Sequence, residues 1–367
     1  MNIAPVLSNY LNFLRWIAAF LVVIGHLRSL IYPEYSQVIN PSFLETIFYF
    51  ITGLGHEAVI IFFVLSGYLV GGEFISMHKC KKQFYIYFIK RFSRIFTVFL
   101  PAIVIGGILD YIGITYLNTN GIYSNMYHFS AMNYSVIDRL SINTLIFNIL
   151  MMQTSLSNTF GSNGPLWSLA NEWWYYMLLP ALYIIFNKNK IFLKATLFIV
   201  VLIMIFILNN NLLIYFSTWL LGALVFLFKK KFHFPFIIYI SILLFLVSFI
   251  VSRINLFDSQ FLHDLIISLS LAFLINNLAF INNTRIFFSK INSNLAKFSY
   301  SLYLFHFPLI VFVLAYSKET INHKLPLFIC AIIITYLFSF IMYILFEKKT
   351  FLIKSKLYTF FNLTKEK

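Results

Sequence analysis

The chain has 367 residues and a net charge of +15; 60% of its residues are hydrophobic and 20% aromatic, and the mean hydropathy is +0.85. That mix lies far from that of soluble domains and excludes a water-soluble enzyme. The positive charge falls in short clusters between apolar runs, so it reads as membrane topology and gives no reason to invoke nucleic acid. Two cysteines, Cys80 and Cys330, are too few for a disulfide framework or a cysteine-ligated zinc site.

A transmembrane helix needs about 20 mostly apolar residues. Ten such stretches are expected, near 11–30, 46–70, 94–113, 166–186, 191–208, 212–228, 235–252, 262–281, 298–316 and 326–346, with a weaker eleventh at 140–156. Lys and Arg collect on the cytoplasmic side, and segments 79–94, 188–194, 229–231, 285–297 and 348–367 hold 21 of the 27 basic residues. Ten crossings put all five clusters on one side, whereas counting 140–156 would move every later cluster across. The expected fold is therefore an all-α polytopic membrane helix bundle of about ten transmembrane helices with both termini cytoplasmic. Residues 1–350 form the membrane domain, 140–156 a re-entrant or surface element, and 351–367 a short basic cytoplasmic tail. The first helix lacks a basic stretch ahead of it and a cleavage site behind it, and is expected to be a retained anchor. No internal repeat is visible, which argues against a transporter built on inverted repeats.

Ionisable groups inside a bilayer cost several kcal/mol unless paired or hydrated, so each is a functional suspect. In LRWIAAFLVVIGHLRS, Leu14 to Ser29, Arg15 and His26 stand eleven residues apart. At about 100° and 1.5 Å per residue the helix returns to within about 20° of its start, roughly 16 Å further along, so both side chains face the same way. Taken singly, Arg15 could snorkel to the headgroups and His26 could be a neutral histidine bonded between helices. HEAVIIFFVLSGYL, His56 to Leu69, contains Ser66-Gly67, small residues suited to close helix packing; Glu57 in the same run has no packing explanation.

In KRFSRIFTVFLP, Lys90 to Pro101, Arg91 and Arg94 share a helix face and form a fork suited to phosphates. The plainer reading is an ordinary positive-inside cluster, which is preferred for Lys79, Lys81 and Lys82. In GPLWSLANEWWYYMLLP, Gly164 to Pro180, Glu172 falls roughly 9 Å below the outer surface, level with His26. A carboxylate and an imidazole at one depth can form a pair that sets the histidine tautomer and raises its basicity, or simply a structural bond between helices. YSLYLFHFP, Tyr300 to Pro308, puts His306 in mid-helix beside a proline, and FEKK, Phe346 to Lys349, puts Glu347 at the cytoplasmic end of the last span, beside lysines with which it can pair.

Six of these elements, in this order, resemble the membrane-bound acyltransferase 3 family, which includes O-acetyltransferases of bacterial surface polysaccharides. They are the Arg15/His26 spacing, FFVLSGYL, the Arg91/Arg94 pair, LWSLANEWWYY with Glu172, YSLYLFHFP with His306, and Glu347. The chain departs where the family commonly ends in Glu-Arg-Pro, since Lys348 and Lys349 follow Glu347, and where His56, Glu57 and Ala58 occupy a region that often holds glycine. The esterase-like domain that some members carry is not expected here.

The resemblance implies an acyl-CoA donor, acetyl-CoA in preference, on the cytoplasmic side and a glycan or lipid-linked glycan acceptor on the other, in a bacterial plasma membrane. No permanently bound cofactor and no metal are expected. Arg91 and Arg94 would hold the CoA phosphates and Arg15 a phosphate or carbonyl of the donor arm. His26 would be the general base for a sugar hydroxyl, with Glu172 orienting it, or would carry the acyl group itself. Ser66, Trp167, Ser168, Tyr303, His306 and Glu347 are expected as structural or acceptor-site positions. O-antigen, capsule and exopolysaccharide acceptors fit equally, and a flippase or transporter of lipid-linked sugars is the main reading from another class.

Overall fold

The structure, a computed structural model, describes residues 3–77, 82–117, 121–124, 126, 129–187, 194–201, 210–234, 236–281, 288–317 and 324–363. Lys79, Cys80, Lys81, Lys188, Arg285 and most of the span expected at 191–208 lie outside them. The described residues form helices and no β-sheet. In chain order these are α1 (Pro5–Ile31), α2 (Phe43–Thr52), α3 (Gly55–Ser66), α4 (Gly72–Ser76), α5 (Gln83–Ile112), α6 (Ile142–Ile149), α7 (Leu166–Asn187) and α8 (194–201). They continue with α9 (Asn210–Leu227), α10 (Ile237–Arg253), α11 (Gln260–Leu278), α12 (Ser289–Lys297), α13 (Ser299–Tyr316), α14 (Lys324–Leu345) and α15 (Thr350–Phe360).

Six helical segments are long and apolar enough to cross a membrane, namely Pro5–Gln37, Phe43–Ser76, Gln83–Leu117, Gln260–Leu278, Ser299–Tyr316 and Lys324–Phe360. Asn211–Leu227 and Ile237–Arg253 are shorter apolar helices. The segment at 140–156 contains only the 8 residues of α6, flanked by turns; at about 1.5 Å per residue such a helix is far too short to cross. The expected span at 46–70 is interrupted rather than continuous. Ser42 and Glu45 cap α2 reciprocally, Gly53 closes it, and α3 restarts at Gly55.

The chain divides into two compact units. The first comprises Met1–Ala18, His56–Phe84 and Asn171–Lys297. Within it α10 packs on α11, and α9 packs on α11 and on the π-helical turn Gly67–Gly71 that follows α3. The close approach has a local cause: a Cβ on Gly67 would run into the carbonyl of Trp219, and one on Gly222 into the carbonyl of Val64. Bare backbone on both helices lets them touch, and buried Trp219, Tyr175 and Tyr68 fill the space around the contact.

The second unit comprises Ala19–Gly55, Tyr85–Ala170 and Phe298–Lys367. Its centre is α13, 14 of whose 18 residues are buried. A helix apolar all round belongs inside a bundle, and α14 and the turns around 113–124 pack against it. Residues 129–164 fold on themselves. Arg139 lies over the ring of Tyr134, 3.2 Å from its centroid, and donates to Thr159 Oγ1 at 3.0 Å, while the Tyr134 hydroxyl donates to the carbonyl of Ser162 at 2.8 Å. Burial pushes the Tyr134 phenol above its ordinary value, so it stays a donor.

Candidate active site

The second unit brings together two of the residues singled out in the sequence. His26, half-buried on α1, and His306, fully buried on α13, approach until His26 Nδ1 and His306 Nε2 are 2.8 Å apart. The ring centroids are 5.1 Å apart with an interplanar angle of 12°. That geometry is an in-plane N–H···N bond between coplanar rings rather than face-to-face stacking.

The direction of the bond follows from its neighbour. His306 Nδ1 lies 2.8 Å from the carbonyl oxygen of Tyr303, and a carbonyl only accepts, so Nδ1 carries the proton of a neutral His306. Its Nε2 must then accept, which places the proton of the shared bond on His26 Nδ1. His26 Nε2 is left with a free lone pair and has no hydrogen bond to any described residue. The edge of Phe307, with ring centroids 4.9 Å apart, fixes the imidazole plane, and Ser29 Oγ donates to the His26 carbonyl at 3.0 Å. A backbone carbonyl thus sets both tautomers and leaves His26 Nε2 as the unprotonated nitrogen of an oriented ring.

The sequence placed Pro308 two residues beyond His306, and the structure shows how the helix absorbs it. Proline has no N–H, so the carbonyl of Leu304, four residues back, loses its helical donor. Asn163 Nδ2 supplies one at 3.0 Å. Asn163 is in turn held by the loop before α7: buried Asp110 on α5 accepts from Ser162 N and Ser162 Oγ, both at 2.7 Å. The Tyr303 hydroxyl shares a 2.6 Å bond with Ser168 and reaches the carbonyl of Pro165 at 3.2 Å. Trp167 stands half-buried in the first turn of α7. Asp110 and Asn163 were not singled out in the sequence. The usable signal was Pro308 itself, which obliges some side chain to serve Leu304.

A second polar centre in this unit joins α5, α13 and the end of α14. Arg94 Nη1 pairs with Glu347 Oε1 at 2.6 Å, and Glu347 Oε2 accepts from Ser301 N at 3.0 Å and Ser301 Oγ at 2.6 Å. Arg94 also lies over the ring of Tyr300, 4.9 Å from its centroid, and Arg91 over that of Tyr87 at 5.7 Å. The partner of Glu347 is therefore Arg94, whose planar fork matches a carboxylate, and not the lysines that follow it in sequence. Arg94 keeps 41% of its side chain exposed.

The other expected residues lie in the first unit. Arg15 is half-buried on α1, beside Trp16, whose Nε1 donates to Asn292 Oδ1 at 3.0 Å. Glu172 on α7 accepts a hydrogen bond from Tyr176 one turn on. The chain of bonds continues through Ser66 Oγ, 3.1 Å from the Tyr176 hydroxyl, to Trp219 Nε1, which donates to Ser66 at 3.1 Å. Among the described residues no three His, Cys, Asp or Glu side chains are placed to hold a metal ion.

A helical chain with several membrane-spanning candidates is a multi-pass membrane protein, and its second unit holds a hydrogen-bonded histidine pair. A family model for an acyltransferase domain, Acyl_transf_3, matches residues 8–344, and the chain belongs to that acyltransferase 3 family. Comparisons with curated proteins and with solved structures give no match.

Proposed function

We propose that this membrane acyltransferase moves an acyl group, acetyl in preference, from cytoplasmic acyl-CoA to a hydroxyl of a cell-surface glycan such as O-antigen, capsule or exopolysaccharide. Its place is the bacterial plasma membrane, crossed about ten times with both termini cytoplasmic. The observation that carries the reading is the proton arrangement at the histidine pair, which leaves His26 Nε2 unprotonated and oriented.

In the transfer, His26 Nε2 takes the proton of the acceptor hydroxyl as its oxygen attacks the thioester carbonyl carbon. The C–O bond forms, the C–S bond breaks, and the CoA thiolate leaves and collects the proton from His26. During the step the positive charge on His26 is shared through Nδ1–H with His306 Nε2, which is held ready by the Tyr303 carbonyl. His306 thus supplies the orienting bond that the sequence suggested for Glu172. Glu172, fixed by Tyr176, remains available to a polar substrate group in its own unit.

Arg91 and Arg94 bind the CoA phosphates, with Arg94 aimed by Glu347 and 41% of its side chain exposed, and Arg15 contacts the donor arm. The pairing of Arg94 with a carboxylate before donor arrives keeps the guanidinium in one orientation, which lowers the ordering cost of binding. The test is to incubate membranes with and without the protein with acetyl-CoA labelled in the acetyl group. Protein-dependent label in the glycan is expected. Label that stays on CoA in both samples, at donor concentrations shown to bind, would overturn the reading.

A further inference from the structure

The first unit holds another set of buried ionisable groups that the transfer chemistry does not use. His56 and Glu57 stand in the first turn of α3, Ser252 in the last turn of α10 and Asp264 near the start of α11. His56 Nε2 donates to Asp264 Oδ1 at 2.8 Å, Gln260 Nε2 reaches the same oxygen at 3.1 Å, and Ser252 Oγ donates to Glu57 Oε1 at 2.7 Å. These bonds tie the three helix ends together. Yet the second oxygen of each carboxyl, Glu57 Oε2 and Asp264 Oδ2, is buried with no protein partner, the residues being 4% and 1% exposed. His263, 2% exposed, adds a donor: its Nε2 accepts from Phe257 N at 3.2 Å, so the neutral ring carries its proton on Nδ1, and that atom too is buried without a partner.

Buried polar atoms are nearly always satisfied, and a group of orphans at one end of a unit calls for an occupant. A metal ion does not fit, because among the described residues no three His, Cys, Asp or Glu side chains are placed to hold one. An anion would face two carboxyl groups. A neutral molecule fits if its polar groups both donate and accept and are spread along its length, which is the chemistry of sugar hydroxyls. The ring of Tyr215, 6.1 Å from that of His56, and the ring of Phe257, 5.8 Å from that of His263, offer apolar surface beside the polar atoms, as carbon-bound hydrogens of a sugar require.

We propose that this end of the first unit is a carbohydrate subsite that recognises the acceptor, with Glu57 and Asp264 accepting hydrogen bonds from its hydroxyls and His263 donating one. The inference rests on the glycan-acyltransferase reading and adds where the acceptor is held. In the ten-span orientation the starts of α3 and α11 face away from the cytoplasm, the side on which a surface glycan is met.

The test compares wild type, Glu57→Gln and Asp264→Asn in membranes that contain the endogenous surface glycan, reading retention of labelled acetyl-CoA and transfer of its acetyl group. Glu57→Gln keeps an oxygen for Ser252, so folding should survive. Both variants should retain donor within about twofold of wild type and lose transfer by about tenfold or more. As a measurement independent of substitution, oligosaccharide released from that glycan by mild acid should slow amide exchange over residues 252–264 of the wild type. Wild-type transfer by both variants, or exchange unchanged by the oligosaccharide, would overturn the subsite while leaving the acyltransferase standing. Absence of transfer by the wild type would instead overturn the reading on which the subsite rests.

Discussion

Asn163 donates through Nδ2 to the carbonyl of Leu304, an oxygen that Pro308 has left without its helical partner. A side chain from the loop before α7 therefore repairs the helix that carries His306. Asn163→Ala should leave that carbonyl unsatisfied and lower stability by about 1–3 kcal/mol. Pro308→Ala, which restores an N–H at position 308, should remove most of that penalty. A double-mutant cycle on thermal unfolding in detergent measures the coupling; strictly additive losses would show that Asn163 does not serve the proline.

The loop is held from the other side by Asp110, and Gly161 adopts φ +61, with the position of its absent Cβ directed at Asp110 Oδ2. Gly161→Ala should cost about 1–2 kcal/mol from the left-handed conformation alone and displace the carboxylate as well. Its melting temperature should fall below that of Gly164→Ala, where the one tight contact of the Cβ would be with the far end of the Tyr134 side chain and the carbonyl of Ser162 lies at ordinary contact distance. Equal melting temperatures would contradict the account of this turn.

His306→Ala should lower the turnover of saturated enzyme by about 10²-fold or more, the usual scale for losing an oriented acid–base partner, while acetyl-CoA binding stays near wild type. A proton taken from solvent by His26 Nε2 leaves the Nδ1–H bond to His306 intact but removes the lone pair that must accept the hydroxyl proton. Turnover should therefore fall on the acid side for wild type. A His306→Ala variant with wild-type turnover would remove His306 from the mechanism.

Much of this was legible before any coordinates. The six long apolar segments and the eleven-residue spacing that keeps Arg15 and His26 on the uninterrupted α1 follow from helical periodicity, and His306 stood out through the cost of burying a polar group. The pairing of His26 with His306 did not follow. Depth in the membrane can be counted along a helix, and it placed Glu172 level with His26, but it does not say which way a side chain turns. The bond formed instead spans 280 positions of sequence, and only tertiary packing decides it. The Arg94 and Glu347 pair was hidden for the same reason, since Glu347 had lysines closer in sequence. The break at Gly53 was missed because the run on either side of it is equally apolar.

Arg94 and Glu347 give a further test. Glu347 is 4% exposed and takes three donors, so Glu347→Ala should free Arg94 to reorient and leave Ser301 unpaired, at a stability cost of about 1–3 kcal/mol. It should weaken acetyl-CoA binding, and in an Arg94→Ala background its effect on binding should shrink. Equilibrium binding of labelled acetyl-CoA to the four proteins reads this coupling; equal effects of Glu347→Ala in both backgrounds would show that the pair does not aim the donor site.

The most direct test of the central claim is transfer of label from acetyl-CoA to endogenous glycan by His26→Ala, measured beside wild type in membranes that contain equal amounts of each protein and bind acetyl-CoA equally. Transfer is expected from wild type, and none above background from the variant. Transfer by His26→Ala at the wild-type rate would contradict the assignment of His26 as the base.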